Sequence, residues 1–396
     1  MKKFLMATAA TALVGGAAYA DNHETIKIGT ILGYTGPIES LTPHMADGAE
    51  LAMEEVSASG LLLGGMKVES VRADSTCVDS AAATAAAEKL ITSDGVKGLM
   101  GPDCSGVTGA VLANVALPNG IVMISPSATS PGLSTAEDNG LFFRTAPSDA
   151  RQSAIMAEIL RENGAESVAV TYTNNDYGKG MADAFKAAFE AAGGTVTIVT
   201  AHEDGKADYT AEVGALASAG GDVLVVAGYV DQGGAGIVRG ALDTGAFDTF
   251  HFPDGMIGSN LEANFGEEIE GSSGQVPGSD SPGNAAFVEM VGDKFDVTSP
   301  FTGESYDAAA LLLLAMQAAG SAEPGDYASK VEMVANAPGE QIFPGELAKG
   351  LQILADGGEI DYVGATAVEF VDGGEAAGSY RQIKIEGGKM VTVQYR

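Results

Sequence analysis

The chain has 396 residues, with 53 Asp plus Glu against 21 Lys plus Arg and a formal net charge of −32. That acidity excludes a nucleic-acid or anionic-membrane surface as the default partner, while the length suffices for two or three domains around a large core. Only two cysteines, Cys77 and Cys104, are present, so the fold does not depend on a disulfide network.

Residues 1–20 read as a cleaved secretory signal, with Lys2 and Lys3, an apolar run over 4–14 and the small-residue ending Ala18-Tyr19-Ala20. The apolar run is too short to span a bilayer, and the later run 308–319 reads as a buried Ala/Leu helix. The mature protein is therefore expected in a soluble form outside the cytoplasm. In an oxidising compartment Cys77 and Cys104 suggest one intrachain bridge, the alternative being two buried free thiols. Because Cys104 immediately precedes Ser105, a bridge would also brace the turn GPDCSG.

In chain order, a strand over 26–32 leads through a Gly/Pro loop to a helix over 44–58. In that helix Ala49, Ala52, Met53 and Val56 recur at helical spacing while Asp47, Glu50 and Glu54 face outward. A strand over 66–73 and an Ala-rich helix over 80–91 follow. Short apolar strands over 96–100 and 121–125 flank a helix over 106–117. This β-α repetition with short links means a parallel sheet covered by helices on both faces. The pattern pauses around 142–147 and restarts with helices over 150–163, 178–192, 209–219 and 234–244 and strands over 167–173, 195–200, 222–227 and 249–252. Two α/β runs of similar size mean two domains. After Gly274 the chain reads as loop, then as helices over 285–295, 305–319 and 327–336. Strands over 366–371, 380–385 and 390–395 end it.

The turns GPDCSG and SPSATSP both follow short buried strands, so they lie at the carboxyl edge of one sheet, where open α/β sheets bind ligands. A helix starting there offers free backbone N–H groups to an anion, and Ser105 and Thr129 add hydroxyls. Either residue alone reads equally as an N-cap or turn residue. No nucleophile elbow, P-loop, metalloprotease helix or dinucleotide fingerprint is present, and His23, His44, His202 and His251 have no metal-spaced partners. Neither an enzyme nor a bound cofactor is indicated.

A secreted two-domain α/β chain with binding turns and no catalytic set resembles the periplasmic substrate-binding proteins of ABC transporters. The similarity is to the leucine/isoleucine/valine-binding group, through IKIGTILGYTGPIES, the Cys77 and Cys104 pair, GPDCSGVT, MISPSATSPGLS, FFRTAPSD, NNDYGKGMAD and ESYDAAALL. The resemblance implies two doubly wound parallel-sheet lobes, joined by three crossings, with ligand in the cleft between them. Here the lobes would be 25–145 with 276–365 and 146–275 with 366–396. It also implies that Ser105 and Thr129 hold a ligand α-carboxylate, with the backbone at Ser127 adding a polar contact, and that Asp254 pairs with the ammonium where the family carries Glu. Tyr177 and Tyr229 would line the cleft. Phe301 is a looser match, and Leu41 stands near a position where the family carries a bulky aromatic. Glu39 and Glu304 would stand near the cleft mouth.

The expected function is capture of an aliphatic, branched-chain amino acid and its delivery to an inner-membrane ABC permease by a monomer that does not insert into the membrane. A short amide, urea or an aromatic acid is the alternative ligand within the same fold. Docking to a membrane receptor as a ligand sensor is the alternative role.

Overall fold

The computed structural model describes residues 25–396; the expected signal sequence, 1–20, lies outside them. Strands β1 (Thr25–Leu32), β2 (Lys67–Asp74), β3 (Leu99–Met100), β4 (Met123–Ser125) and β5 (Phe142–Arg144) pair in parallel in the order β5-β4-β3-β1-β2. Strands β6 (Ser167–Thr173), β7 (Thr195–His202), β8 (Val223–Ala227), β9 (Phe250–Phe252) and β10 (Ser273–Pro277) repeat that arrangement as β10-β9-β8-β6-β7. In each sheet the winding reverses beside its first strand. The crevices beyond β1 and β3, and beyond β6 and β8, are therefore the places where such sheets receive ligands.

The two-residue β3 and three-residue β4, both buried, are shorter than the apolar runs that announce them. Between them the chain is helical over Ser105–Val111, passes through a wide turn at Leu112–Ala116 and regains α geometry at Leu117–Asn119. The pause read at 142–147 contains β5, whose three residues are too few to carry an alternation signal. Helix Thr302–Ala319 is apolar on nearly every side, with Leu311, Leu312, Leu313 and Leu314 fully buried, and it packs against helix Thr42–Ser59. A helix apolar all round belongs inside a fold.

The carboxyl-terminal third departs from expectation. The run Ser273–Pro277, whose part after Gly274 was read as loop, is β10, so the second crossing between lobes begins at Gly278 rather than at the expected 275/276 boundary. Two short strands, β11 (Glu340–Ile342) and β12 (Ile360–Tyr362), pair in parallel across helix Leu347–Ala355, which the sequence reading passed over although Leu347, Leu351 and Leu354 recur at helical spacing. The strand expected over 366–371 in the second lobe belongs to the first. There β13 (Phe370–Val371) and β14 (Glu375–Ala376) form a hairpin, and β14 extends the first sheet beside β5. Glycines at 373 and 374, both at positive φ, turn the chain back, the Phe370 ring packs on Phe143 at 5.7 Å, and Glu375 pairs with Arg144. The third crossing is therefore 377–379 rather than near 365. Only β15 (Tyr380–Glu386) and β16 (Lys389–Tyr395) join the second sheet, as antiparallel strands.

Candidate functional site

The first lobe contributes the two turns. Gly101 takes φ +108°, and a Cβ there would lie 2.1 Å from the Ile31 carbonyl oxygen, so the turn after β3 requires glycine. Asp103 is buried beneath it; its carboxylate accepts hydrogen bonds from Gly33 N (2.6 Å), Ser75 Oγ (2.9 Å) and Cys104 N (3.0 Å). Burial raises the pKa of this group and those bonds oppose the rise. Cys104 forms the expected disulfide with Cys77, their Cα atoms 5.1 Å apart, so the turn is tied to the segment after β2. Ser105 opens the following helix, and its Oγ accepts from Ser130 N (3.1 Å). That bond joins the two turns and leaves the Ser105 hydroxyl hydrogen free to donate elsewhere.

The second turn rests on Arg144, which is fully buried on β5. Its guanidinium donates to Ala128 O (3.0 Å), Ser130 O (2.8 Å) and Ser134 Oγ (2.7 Å) and pairs with Glu375. Ser127 Oγ donates to the Asp103 carbonyl (3.0 Å). The Thr129 hydroxyl is buried and has no well-formed partner, although it lies beside the Asp149 carboxyl.

The second lobe contributes aromatics and acids. Asn175 caps helix Asp176–Ala191 by accepting from Gly178 N (3.0 Å), which places Tyr177 in the first turn. The Tyr177 ring stacks on Tyr229, the centroids 5.2 Å apart, and the Tyr229 hydroxyl accepts from Asn175 Nδ2 (3.3 Å). Asp254, just after β9, is fully buried. Its Oδ1 accepts from Tyr177 OH and from Gly255 N, each at 2.7 Å. Burial pushes its pKa up to about 6 against these hydrogen bonds. A second buried acid, Asp149, stands nearby; burial first and the Asp254 charge second raise it well above the carboxylate range. The Gln152 amide lies between the two; turned so that its nitrogen faces the acids, it donates to Asp149 Oδ1 (2.8 Å) and Asp254 Oδ2 (3.1 Å) while its oxygen accepts from Asp254 N and Gln275 Nε2, each at 3.2 Å, and this orientation alone satisfies both ends of the amide.

Ser105, Ser127 and Thr129 from one lobe and Tyr177, Tyr229 and Asp254 from the other line a single interlobe cavity. Ile38, Leu41 and Phe301 add an apolar wall, and Asp103, Cys104 and Gly255 also reach the lining. The cavity thus presents hydroxyls on one side, an acid on the other and aliphatic and aromatic surface between them. The lobes meet around it: Ser130 Oγ donates to Asp176 O (3.1 Å), Ser40 N to Asp231 Oδ2 (2.8 Å) and Asp231 N to Pro37 O (3.2 Å). Glu39 is exposed and does not line this space. Glu304 is buried and faces a neighbouring cavity at the hinge shared with Phe301 and Arg381; burial pushes it up to about 8.

Sequence reasoning passed over Asp149, Gln152 and Arg144. The i,i+3 spacing of Asp149 and Gln152 at the start of a helix was the available signal, but an acid in a first helical turn ordinarily reads as a dipole partner. Among the described residues no group of three or more His, Cys, Asp or Glu is placed to hold a metal, and no helix is long and apolar enough to cross a membrane.

A sequence profile for the family described as periplasmic binding protein matches residues 25–344. A Leu/Ile/Val-binding protein of Rhizobium johnstonii is 31% identical over 324 residues, covering 81% of this chain and 86% of that protein. Among solved structures, a branched-chain amino acid transporter substrate-binding protein of Streptococcus pneumoniae in complex with isoleucine superposes with a TM-score of 0.76 at 23% identity, covering 94% of this chain and 99% of that one. An ABC-transporter solute-binding protein of R. palustris in complex with benzoate gives 0.74 at 21% identity, covering 94% and 96%. At these identities the two structures speak for the fold.

Proposed function

Because the chain belongs to the periplasmic binding protein family, its cavity is read as a solute site, and we propose that it captures a branched-chain amino acid and delivers it to an inner-membrane ABC permease. In this reading residues 1–20 direct secretion, and the mature chain works in the periplasm as a monomer. The Ser105 and Thr129 hydroxyls and the Ser127 backbone hold the ligand carboxylate. Asp254 pairs with the ammonium, and the aliphatic side chain lies against Tyr177, Tyr229, Ile38, Leu41 and Phe301.

The observation that carries the proposal is the division of one buried cavity into hydroxyl donors, an acid and an apolar wall. Each part answers one part of an aliphatic amino acid, and charge-assisted hydrogen bonds strengthen in a dry site. Benzoate has a carboxylate but nothing to neutralise Asp254, so the buried acid favours an ammonium-bearing ligand over an aromatic acid. Micromolar binding requires about −8 kcal/mol.

Calorimetric titration with leucine tests the assignment. Asp254→Ala should lose most of the affinity while the unliganded protein keeps its thermal midpoint within a few degrees. A variant that titrates like the wild type refutes the ammonium role.

A further inference from the structure

The stretch NDYGKG places two glycines, Gly178 and Gly180, near the start of helix Asp176–Ala191, and their surroundings differ. A Cβ on Gly178 would lie 2.2 Å from the Thr173 carbonyl oxygen, an atom of the same lobe. A Cβ on Gly180 would lie 2.9 Å from Ser130 Oγ and 3.0 Å from Pro131 Cδ, both on the opposite lobe. The first glycine therefore serves the fold of the second lobe. The second serves the seam between the lobes.

The backbone does not demand glycine at 180, because the residue does not take a positive φ. Inside a helix alanine is favoured over glycine, so the helix by itself would form better with a side chain there. What opposes one is the surface of the first lobe, and that surface is held in place. Ser130 N donates to Ser105 Oγ (3.1 Å), Arg144 Nη1 donates to Ser130 O (2.8 Å), and Asp149 N donates to Thr129 O (2.8 Å). Pro131 Cδ is fixed to this backbone by its ring. Ser130 Oγ could turn aside only by giving up its donation to Asp176 O (3.1 Å), itself a bond between the lobes. By contrast, a Cβ on Gly258 would meet Leu41 across the seam at 2.9 Å, but through a Cδ2 methyl at the end of a flexible side chain.

Hinge closure moves two packed lobes against each other, so contacts within a lobe persist while contacts across the seam are made on closing. A methyl group at 180 thus leaves each lobe intact and overpacks the closed state. The obstruction also reaches the ligand turn, since the Ser130 segment that meets Gly180 is the one whose N–H holds the Ser105 hydroxyl.

We propose, on the reading of the cavity as a solute site that shuts over its ligand, that Gly180 is a positioning residue for cleft closure. Its missing side chain lets helix Asp176–Ala191 seat on Ser130 and Pro131, and the closed, ligand-holding state depends on that seating.

Calorimetric titration with leucine and thermal denaturation of the unliganded protein test this together. G180A should keep or raise the unliganded midpoint, because helix propensity favours alanine, while binding leucine about tenfold more weakly, within the range that overpacking produces. Loss of affinity without loss of stability separates a role in closure from a role in the fold. S130A removes the nearer obstructing atom, so S130A/G180A should lose less affinity than the product of the two single losses. A G180A affinity within about threefold of wild type, a lowered G180A midpoint, or single losses that simply multiply would each overturn the proposal. Should the wild type not bind leucine, the choice of ligand is what fails, and the same comparison is made with whichever of isoleucine, valine, benzoate, urea and a short amide it does bind. Binding of none of them would overturn the solute-site reading and the role of Gly180 with it.

Discussion

Asp231→Ala should weaken ligand binding without touching the ligand. Asp231 does not line the cavity, yet its Oδ2 receives Ser40 N from the opposite lobe at 2.8 Å while Asn260 Nδ2 steadies its Oδ1 at 2.7 Å. The substitution removes these and keeps the backbone bond from Asp231 N to Pro37 O. A hydrogen bond to a charged group contributes about 1.5–3 kcal/mol. Asp231 is only half-buried, so the lower end applies, about 1.5 kcal/mol after solvent screening. That energy belongs to closure of the cleft, a hinge motion of the two lobes around the ligand. Removing it should raise the dissociation constant about tenfold. The change should appear in the release rate, because opening precedes release, while association and the unliganded thermal midpoint stay put. Stopped-flow tyrosine fluorescence suits a chain without tryptophan. An unchanged release rate, or a loss confined to association, would refute the latch.

Glu304 provides a pH test. Burial raises it from 4.5 to about 8, so the folded protein binds its proton more tightly than the unfolded chain does, and stability falls as pH rises through that window. Glu304→Gln removes that share, and its advantage in chemical denaturation should be larger at pH 8 than at pH 5 by at least about 1 kcal/mol; equal advantages at both would contradict the assignment. The Cys77–Cys104 bond closes a separation of 27 residues, worth about 3 kcal/mol in the chain-entropy account. Replacing both cysteines with serine should cost stability of that order and weaken leucine binding, because Cys104 adjoins Ser105. Undiminished affinity would mean that the hydrogen bonds of Asp103 hold the turn alone.

The residues that were legible in the sequence are those whose chemistry and position coincide. Ser105, Ser127 and Thr129 follow buried strands in turn sequences, and Tyr177, Tyr229 and Asp254 occupy corresponding strand ends in the other lobe. The β-α pattern put Ser105 and Thr129 at one sheet edge, whereas Ser127, Tyr177, Tyr229 and Asp254 were singled out by the family resemblance, each reading alone as a turn or packing residue. Asp149 and Gln152 were not legible, because their importance comes from what lies across the lobe: Asp254 arrives from a strand a hundred residues later. Arg144 is similar, its partner Glu375 lying on a hairpin that was read as one strand of the other lobe. Strands of two or three residues such as β5, β13 and β14 carry too little alternation to declare a sheet, and long-range pairing alone settles where they go.

The central claim is most directly tested by calorimetric titration of the mature, ligand-stripped protein with leucine, isoleucine and valine beside benzoate, urea and a short amide. The account predicts saturable binding of the branched-chain amino acids at micromolar concentration or tighter, about −8 kcal/mol or beyond, and none of benzoate. Tight binding of benzoate, urea or the amide with no response to any amino acid would contradict it.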